Sequence, residues 1–144
     1  MKTKVEKYGN LAGARRRGSW KSGWREIGGQ WIFARSAWEA NYARYLQFLF
    51  DARQIQKWEH EPETFWFDEV QRGCRSFLPD FRVTFSSERI EYHEVKGWMD
   101  DRSKTKIKRM ATYYPEIVLV VRDRLWFKAN GRKLSKLIPG WEIG

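Results

Sequence analysis

The sequence predicts a single α/β domain with a central mixed β-sheet flanked by helices, because helical and strand-like segments follow each other along the chain. Apolar residues recur at helical spacing over residues 36–51, and short strand-like segments follow between residues 57 and 96. A continuous apolar run at residues 117–121 is typical of a strand buried on both faces. With 144 residues, of which 42% are hydrophobic, the chain is long enough to form one packed core.

The first predicted elements are a strand and a helix. Gly28-Gly29 indicates a turn, and residues 30–34 follow as a strand candidate. Ser36 is a helix N-cap candidate, and Glu39, three residues later, completes the pattern of a capping box. We expect this helix to continue to about residue 51. The Glu39 carboxylate lies near the edge of the apolar stripe, so it is either a cap or a ligand that faces a site.

The later elements are mostly strands. Strand candidates occupy residues 57–60, 63–67, 77–85 and 89–96. Ser103 is the expected cap of a second helix that ends near residue 114, before Pro115. After the apolar run we expect an edge strand at residues 125–128.

The net charge of +10 is concentrated near the N-terminus. Residues 1–25 carry eight Lys or Arg and one acid, which leaves the rest of the chain close to neutral. We therefore divide the chain into a basic arm, residues 1–25, and a body, residues 26–144. A basic arm suits a polyanion, since each phosphate contact releases counterions. The alternative is a solvated tail that aids solubility. The cations expected to bind nucleic acid in the arm are Arg15, Arg16, Arg17 and Lys21.

Three charged residues at the end of two neighbouring strands form the candidate site. Asp80 follows Pro79 within the first strand, and Glu94 and Lys96 alternate on the next. Side chains two residues apart on a strand share a face, so Glu94 and Lys96 point the same way. If the two strands pair, Asp80 lies beside Glu94. Two carboxylates and an ammonium group then meet in a small volume.

This combination suits metal-dependent hydrolysis of a phosphodiester bond. Mg²⁺ binds one or two carboxylates and leaves its other positions to water and phosphate oxygens. We expect Asp80 and Glu94 to be ligands, with the Val95 carbonyl as a third oxygen. Lys96 can orient the attacking water, stabilise developing charge or accept a proton. Glu39 can complete this metal shell or bind a second ion.

Each of these residues also has an ordinary structural interpretation. Asp80 after a proline is common turn chemistry, and Glu94 with Lys96 is a common surface charge pair. The apolar flanks argue for function, because charge buried among apolar residues needs a reason. His93 faces away from Glu94, so we expect it to be a packing or surface residue.

The motif Pro79-Asp80 followed by Glu94-Val95-Lys96 resembles the signature of the PD-(D/E)XK nuclease superfamily. The segments Ser36-Ala37-Trp38-Glu39 and Lys96-Gly97-Trp98, the latter followed by a basic helix, resemble phage endonuclease I, a Holliday junction resolvase. The resemblance covers about residues 30–121.

The resemblance implies a restriction-endonuclease-like core, dependence on Mg²⁺ or Mn²⁺, and cleavage of DNA. Glu39, Asp80, Glu94 and Lys96 are then the catalytic residues. Four-way junctions are the expected substrate, and a homodimer is the expected assembly, because a junction needs two symmetric cuts. Flap, nicking and restriction-type nucleases are alternatives within the same class, and a non-catalytic nucleic-acid-binding protein is the alternative from another class. In the body, the cations expected to bind DNA phosphates are Arg35, Lys104, Lys106, Lys108 and Arg109.

Two further observations narrow the class of protein. Cys74 is the single cysteine, so the sequence predicts neither an internal disulfide nor a cysteine zinc cluster. No run approaches the roughly 20 apolar residues of a membrane span, and we expect an intracellular protein with no membrane partner.

Overall fold

The computed structural model describes residues 21–143, which form an α/β domain with a mixed four-stranded sheet and three helices. The helices are α1 (Ala37–Asp51), α2 (Asp101–Tyr113) and α3 (Arg124–Leu137). The strands are β1 (Gly23–Ile27), β2 (Gln30–Ala34), β3 (Lys57–His60), β4 (Phe65–Trp66), β5 (Ser76–Phe77), β6 (Phe81–Thr84), β7 (Ile90–Lys96) and β8 (Leu119–Asp123). The predicted fold class is confirmed. Across this part of the chain, every helix is too short or too polar to cross a bilayer.

The central sheet has the strand order β3-β6-β7-β8. β6 pairs antiparallel with both β3 and β7, whereas β8 runs parallel to β7. A short turn closes the β6–β7 hairpin, where the Phe85 amide donates to the Arg89 carbonyl at 2.8 Å. A parallel pair needs a longer crossover, and α2 provides it between β7 and β8. The mixed sheet thus follows from the order of the elements in the chain.

A separate hairpin, β1–β2, precedes α1. Its two turn residues, Gly28 and Gly29, have φ values of 59° and 83°, as a tight hairpin turn of this kind requires. Because β1 includes residues 23–25, the fold extends N-terminal to the boundary that we placed between the arm and the body. The rest of the predicted arm, residues 1–20, lies outside the described residues.

α1 packs against one face of the sheet and forms the main core. Its Tyr42 and Leu46 are fully buried, together with Phe81 and Val83 of β6 and the nearly buried Trp58 of β3. Burying a large apolar side chain contributes roughly 1.5–3 kcal/mol relative to leaving it exposed. This packing fixes the position of α1 on the sheet, and with it the position of the first turn of the helix.

A second apolar cluster covers the other face of the sheet. It contains Phe65, Phe67 and Phe77 from the β4–β5 ribbon and its flanks, Tyr92 of β7, and Met110 of α2. Helices and loops therefore cover both faces of the sheet, and the charged residues of the candidate site lie where the strands end.

The structure corrects the prediction for residues 125–128, which lie in α3 and not in an edge strand. Asp123 is the N-cap, and its Oδ1 accepts the Trp126 amide at 3.1 Å. Phe127 and Leu134, seven residues apart, are buried on one side of the helix. A short apolar run does not distinguish a strand from a helix, and the cap at Asp123 is the signal that does.

Two smaller predictions were also wrong. We expected β8 to be buried on both faces, but all of its residues are half-buried. The reason is that β8 is the edge strand of the sheet. Asp100, and not Ser103, is the N-cap of α2, and its Oδ1 accepts the Ser103 amide at 2.7 Å.

The C-terminal segment is attached to α1 and β1 through Glu142. The Glu142 carboxylate accepts two hydrogen bonds from Arg25, at 2.7 and 2.8 Å, and one from Arg44 at 2.8 Å. Its backbone exchanges two hydrogen bonds of 2.8 Å with the Asn41 amide group. Burial acts to raise the pKa of Glu142, but the hydrogen bonds from Arg25 and Arg44 outweigh it and hold that pKa below its ordinary value.

Candidate functional site

The pairing of β6 with β7 brings Asp80 and Glu94 together. Phe81 is opposite His93 in the antiparallel register, so the next position outward puts Asp80 opposite Glu94. The Asp80 amide donates to Oε1 of Glu94 at 3.1 Å, and the Val95 amide donates to Oδ2 of Asp80 at 2.8 Å. The backbone of each strand therefore orients the carboxylate of the other.

The regular strand pairing is interrupted just before β6, so Asp80 lies outside the ladder of hydrogen bonds between β6 and β7. β5 ends at Phe77, and the fully buried Pro79 follows, which cannot donate a backbone hydrogen bond. The Asp80 carbonyl accepts the Glu61 amide at 2.7 Å. This contact ties the end of β3 to the start of β6, so that three chain segments meet at Asp80.

Lys96 lies on the same face of β7 as Glu94, as the alternation of strand side chains predicted. Its Nζ is 3.6 Å from Oε2 of Glu94, and its side chain is 33% exposed, whereas that of Glu94 is only 7% exposed. The ammonium group therefore lies between the buried carboxylate and the solvent. A phosphate that approaches the carboxylates from solvent meets this charge.

Burial destabilises the charged forms of both carboxylates, and at Asp80 repulsion from neighbouring carboxylates adds to it. Burial raises the pKa of Asp80 well above its ordinary value, and the negative charges of Glu94 and Glu39 raise it further. Burial also raises the pKa of Glu94, although the charge of Lys96 and the Asp80 amide oppose this. A bound cation would favour the charged forms of both groups. Two buried carboxylates with raised pKa values are therefore suited to hold a metal ion.

Glu39 combines the two roles that the sequence left open. Ser36 Oγ accepts the Glu39 amide at 3.1 Å, as in a capping box, while Oε1 of Glu39 accepts the Arg35 amide at 3.0 Å. Its other oxygen, Oε2, lies 2.6 Å from Nε2 of His60. One carboxylate oxygen thus binds the amide of the residue before the N-cap, and the other faces His60 at the end of the sheet.

His60 and Glu61 were not predicted as site residues. Within residues 21–143, a set of three ligand atoms that lie within 4.8 Å of one another is formed by Glu39, His60 and Glu61. The predicted metal-binding set of Glu39, Asp80 and Glu94 is not grouped in this way. No local pattern in the sequence indicated these two residues, because the packing of α1 over the end of β3 brings His60 to Glu39.

The remaining predicted residues lie in different surroundings. Val95 uses its amide to orient Asp80, and its side chain packs on the main core. Arg35 is exposed at the site and pairs with Glu61. Lys21 donates to the Ile143 carbonyl at 3.3 Å. His93 is buried and bonded to Tyr42, which confirms it as a packing residue.

The four predicted cations of α2 divide into two groups. Lys104 and Lys108 are exposed and Lys106 is half-buried, so all three are accessible from solvent. Arg109 instead donates to the Cys74 carbonyl and connects α2 to the turn before β5. Arg15, Arg16 and Arg17 lie outside the described residues.

Comparison of the chain with protein-family models, curated proteins and solved structures found no match. The functional proposal therefore rests on the geometry of the site.

Proposed function

We propose that this protein is a metal-dependent endodeoxyribonuclease that cuts branched DNA, with four-way junctions as the preferred substrate. The observation that carries the proposal is the opposed pair Asp80–Glu94 at the end of the β6–β7 hairpin, with Lys96 at 3.6 Å from Glu94. The same three residues form the motif that resembles the PD-(D/E)XK nucleases.

The chemistry of the donor set fits a hard divalent cation. Asp80 and Glu94 offer carboxylate oxygens, the ligands that Mg²⁺ prefers. The backbone amides hold one oxygen of each carboxylate, Oδ2 of Asp80 and Oε1 of Glu94. Mg²⁺ or Mn²⁺ held here would neutralise phosphate charge and lower the pKa of a bound water. The Val95 carbonyl and Glu39 remain candidates for the further positions of the shell.

The protein residues have separate tasks in this mechanism. Asp80 and Glu94 hold the cation, and the cross-strand amides keep their carboxylates in place before any substrate arrives. Lys96 binds the scissile phosphate or orients the attacking water from the solvent side. Arg35 and the accessible lysines of α2 contact phosphates, which positions DNA without reading its bases.

A homodimer follows from the substrate class. Resolution of a four-way junction needs cuts in two strands that are related by symmetry, and two copies of one site provide them. Exposed apolar residues that can contribute to the contact are Phe50, at the end of α1, and Leu125, Leu137 and Ile143, in and after α3. Sedimentation of the full chain, alone and with a junction, tests this part of the proposal.

The test of the function is cleavage of matched DNA substrates. The full chain is incubated with a labelled four-way junction, a flap and a linear duplex of shared sequence, with Mg²⁺ or with EDTA. We expect paired nicks in the junction that require Mg²⁺. Cleavage of the flap or the duplex at equal rates would instead favour a flap or restriction-type nuclease.

Variants then assign the residues. Asp80→Asn, Glu94→Gln and Lys96→Ala are each expected to bind the junction in Ca²⁺ with wild-type affinity but to cut at least about a hundredfold more slowly. Glu69→Gln, at an exposed position in the turn after Phe67, is the matched control and keeps full activity. Binding without cleavage under every metal would identify a non-catalytic DNA-binding protein.

A further inference from the structure

A second group of ligating side chains lies beside the Asp80–Glu94 pair. Nε2 of His60 is 2.6 Å from Oε2 of Glu39, and an oxygen of Glu61 completes a set whose members lie within 4.8 Å of one another. The side chains of His60 and Glu39 are 8% and 6% exposed, whereas that of Glu61 is 26% exposed. The group thus has two buried side chains, and the third, Glu61, is partly open to solvent.

An imidazole nitrogen changes the metal preference of such a group. Mg²⁺ prefers oxygen ligands alone, whereas Zn²⁺ accepts a mixture of imidazole and carboxylate. We propose that Glu39, His60 and Glu61 form a second metal site, for a transition-metal dication of the Zn²⁺ type. Binding of an ion at this site requires no cleavage activity, although the site shares Glu39 with the surroundings of Asp80.

The geometry needs only small changes to accept the ion. With metal–ligand distances of about 2.0–2.2 Å, ligand atoms in a tetrahedral shell lie about 3–4 Å apart. The three atoms are already within 4.8 Å of one another. Binding of the ion releases to solvent the proton that Nε2 of His60 and Oε2 of Glu39 share, and rotation of the side chains brings the atoms to the metal. Three protein ligands also leave a position for water, since the Glu61 side is open.

The backbone holds two of the ligands rigidly. Oε1 of Glu39 is fixed by the Arg35 amide at 3.0 Å, and Oε2, which is hydrogen-bonded to Nε2 of His60, is the proposed ligand atom. Glu61 has a positive φ of 47°, and its amide donates to the Asp80 carbonyl at 2.7 Å. These contacts hold the strand end in the conformation that directs Glu61 and His60 toward Glu39.

When no metal ion is bound, the ion pair between Arg35 and Glu61 fills the solvent-exposed side of the site. The Arg35 side chain is 61% exposed, so it can turn to solvent when a metal takes its place. Glu61 is thereby held near its ligand position until the exchange takes place.

The site also touches the proposed nuclease centre through Glu39. The Asp80 carbonyl accepts the Glu61 amide, and the Glu39 carboxylate is close enough to Asp80 to act on its charge. If the proposed function holds, an ion at His60 is therefore expected to change cleavage rates even when Mg²⁺ occupies the Asp80–Glu94 pair.

The test uses the two histidines of the chain as internal probe and control. Untagged protein with ¹⁵N-labelled histidine is titrated with Zn²⁺, and the imidazole nitrogens are followed by NMR. We expect Nε2 of His60 to shift to the value of a metal-bound nitrogen. His93 is expected to stay unchanged, because both of its nitrogens are bonded, to Tyr42 at 2.6 Å and to Glu91 at 2.9 Å, and because among residues 21–143 it belongs to no such group of three ligating side chains.

Variants locate the ligands. Glu61→Gln is expected to weaken Zn²⁺ binding roughly tenfold or more. Loss of a group that only hydrogen-bonds to a metal ligand already has an effect of this size. Glu88→Gln, an exposed acid in the β6–β7 turn, is the matched control and binds as the wild type does. Unchanged His60 signals at saturating Zn²⁺, or equal affinity in Glu61→Gln and the wild type, would overturn the proposal. Because the readout is binding, its failure is distinct from absence of junction cleavage in Mg²⁺.

Discussion

Replacing Asp80 with asparagine is expected to stabilise the metal-free protein while it removes a ligand of the proposed metal site. The amide oxygen of the asparagine side chain can still accept the Val95 amide hydrogen bond, so the local geometry is kept. The negative charge, which burial, Glu94 and Glu39 all disfavour, is lost. A purely structural aspartate would give the opposite result, because its removal would cost stability.

The magnitude follows from the strand geometry. Directly opposed residues have β-carbons about 5 Å apart, and two unit charges at that distance repel by roughly 3 kcal/mol at an effective dielectric constant of about 20. Exchanging a charged acceptor for a neutral one weakens the Val95 hydrogen bond by about 1 kcal/mol. The net gain is then about 2 kcal/mol, which for a chain of this length raises the melting temperature by roughly 4–8 °C.

The pH dependence has a definite sign. The pKa of Asp80 is higher in the folded state than its ordinary value of 3.8, so the protonated form stabilises the fold at low pH. That contribution is lost as the pH rises from about 3.8 through the raised pKa. The advantage of Asp80→Asn over the wild type is therefore largest at pH 8 and disappears in acid.

Thermal melts in EDTA and in Mg²⁺ test both halves of this prediction. At a Mg²⁺ concentration of 100 times Kd, the wild type gains about 2.7 kcal/mol, whereas Asp80→Asn is expected to gain little. Glu69→Gln removes an exposed acid away from the site and should melt as the wild type does under both conditions. An Asp80→Asn protein that melts below the wild type in EDTA, or that responds fully to Mg²⁺, would refute the reasoning.

Three further predictions concern the surfaces around the site. Deletion of residues 2–17, which carry six Lys or Arg, should weaken DNA binding and flatten the plot of log K against log salt; an unchanged slope would show that this segment makes no phosphate contacts. Trp98, which is 76% exposed directly after β7, is expected to stack on an unpaired base, so Trp98→Ala should weaken junction binding by about 1–3 kcal/mol without changing the melting temperature; equal affinity in a gel-shift titration would contradict this. Glu142→Gln should lower the free energy of unfolding by about 1–2 kcal/mol at pH 7, because it weakens the bonds from Arg25 and Arg44; since the pKa of Glu142 is held below 4.5, the difference from the wild type should shrink as the pH falls through that lowered pKa, and a difference that persists in acid would be the contrary result.

The parts of the fold that the sequence predicted correctly depend on local signals. α1 begins at its predicted cap, Ser36, because a hydroxyl group there accepts an amide of the first turn. The juxtaposition of Asp80, Glu94 and Lys96 required only that two neighbouring strands pair and that side chains alternate. Both rules operate over a few residues, which is why a single sequence contains them.

The parts that were missed depend on contacts between distant segments. β1 is stabilised in part by Arg25, whose partner Glu142 is 117 residues away. His60 joins the site because α1 packs over the end of β3 and brings Glu39 within 2.6 Å of its ring. No local pattern encodes either pairing. The sequence could therefore indicate Glu39 as a cap or a ligand, but only the packing identifies the group that it faces.

The energetics of the site bear on the choice between a nuclease and a simple DNA-binding protein. A buried pair of carboxylates with raised pKa values destabilises the fold, and apolar residues of similar size would pack at the same positions at lower cost. A protein that only binds phosphates has no use for two negative charges beside its cationic surface, since they repel the ligand. Backbone amides nevertheless hold both carboxylates in fixed orientations, with Lys96 at their solvent side. A loss of stability from two buried carboxylates is expected where a protein has to bring a metal cation and a phosphate together. The arrangement therefore favours the proposal of hydrolysis over that of DNA binding alone.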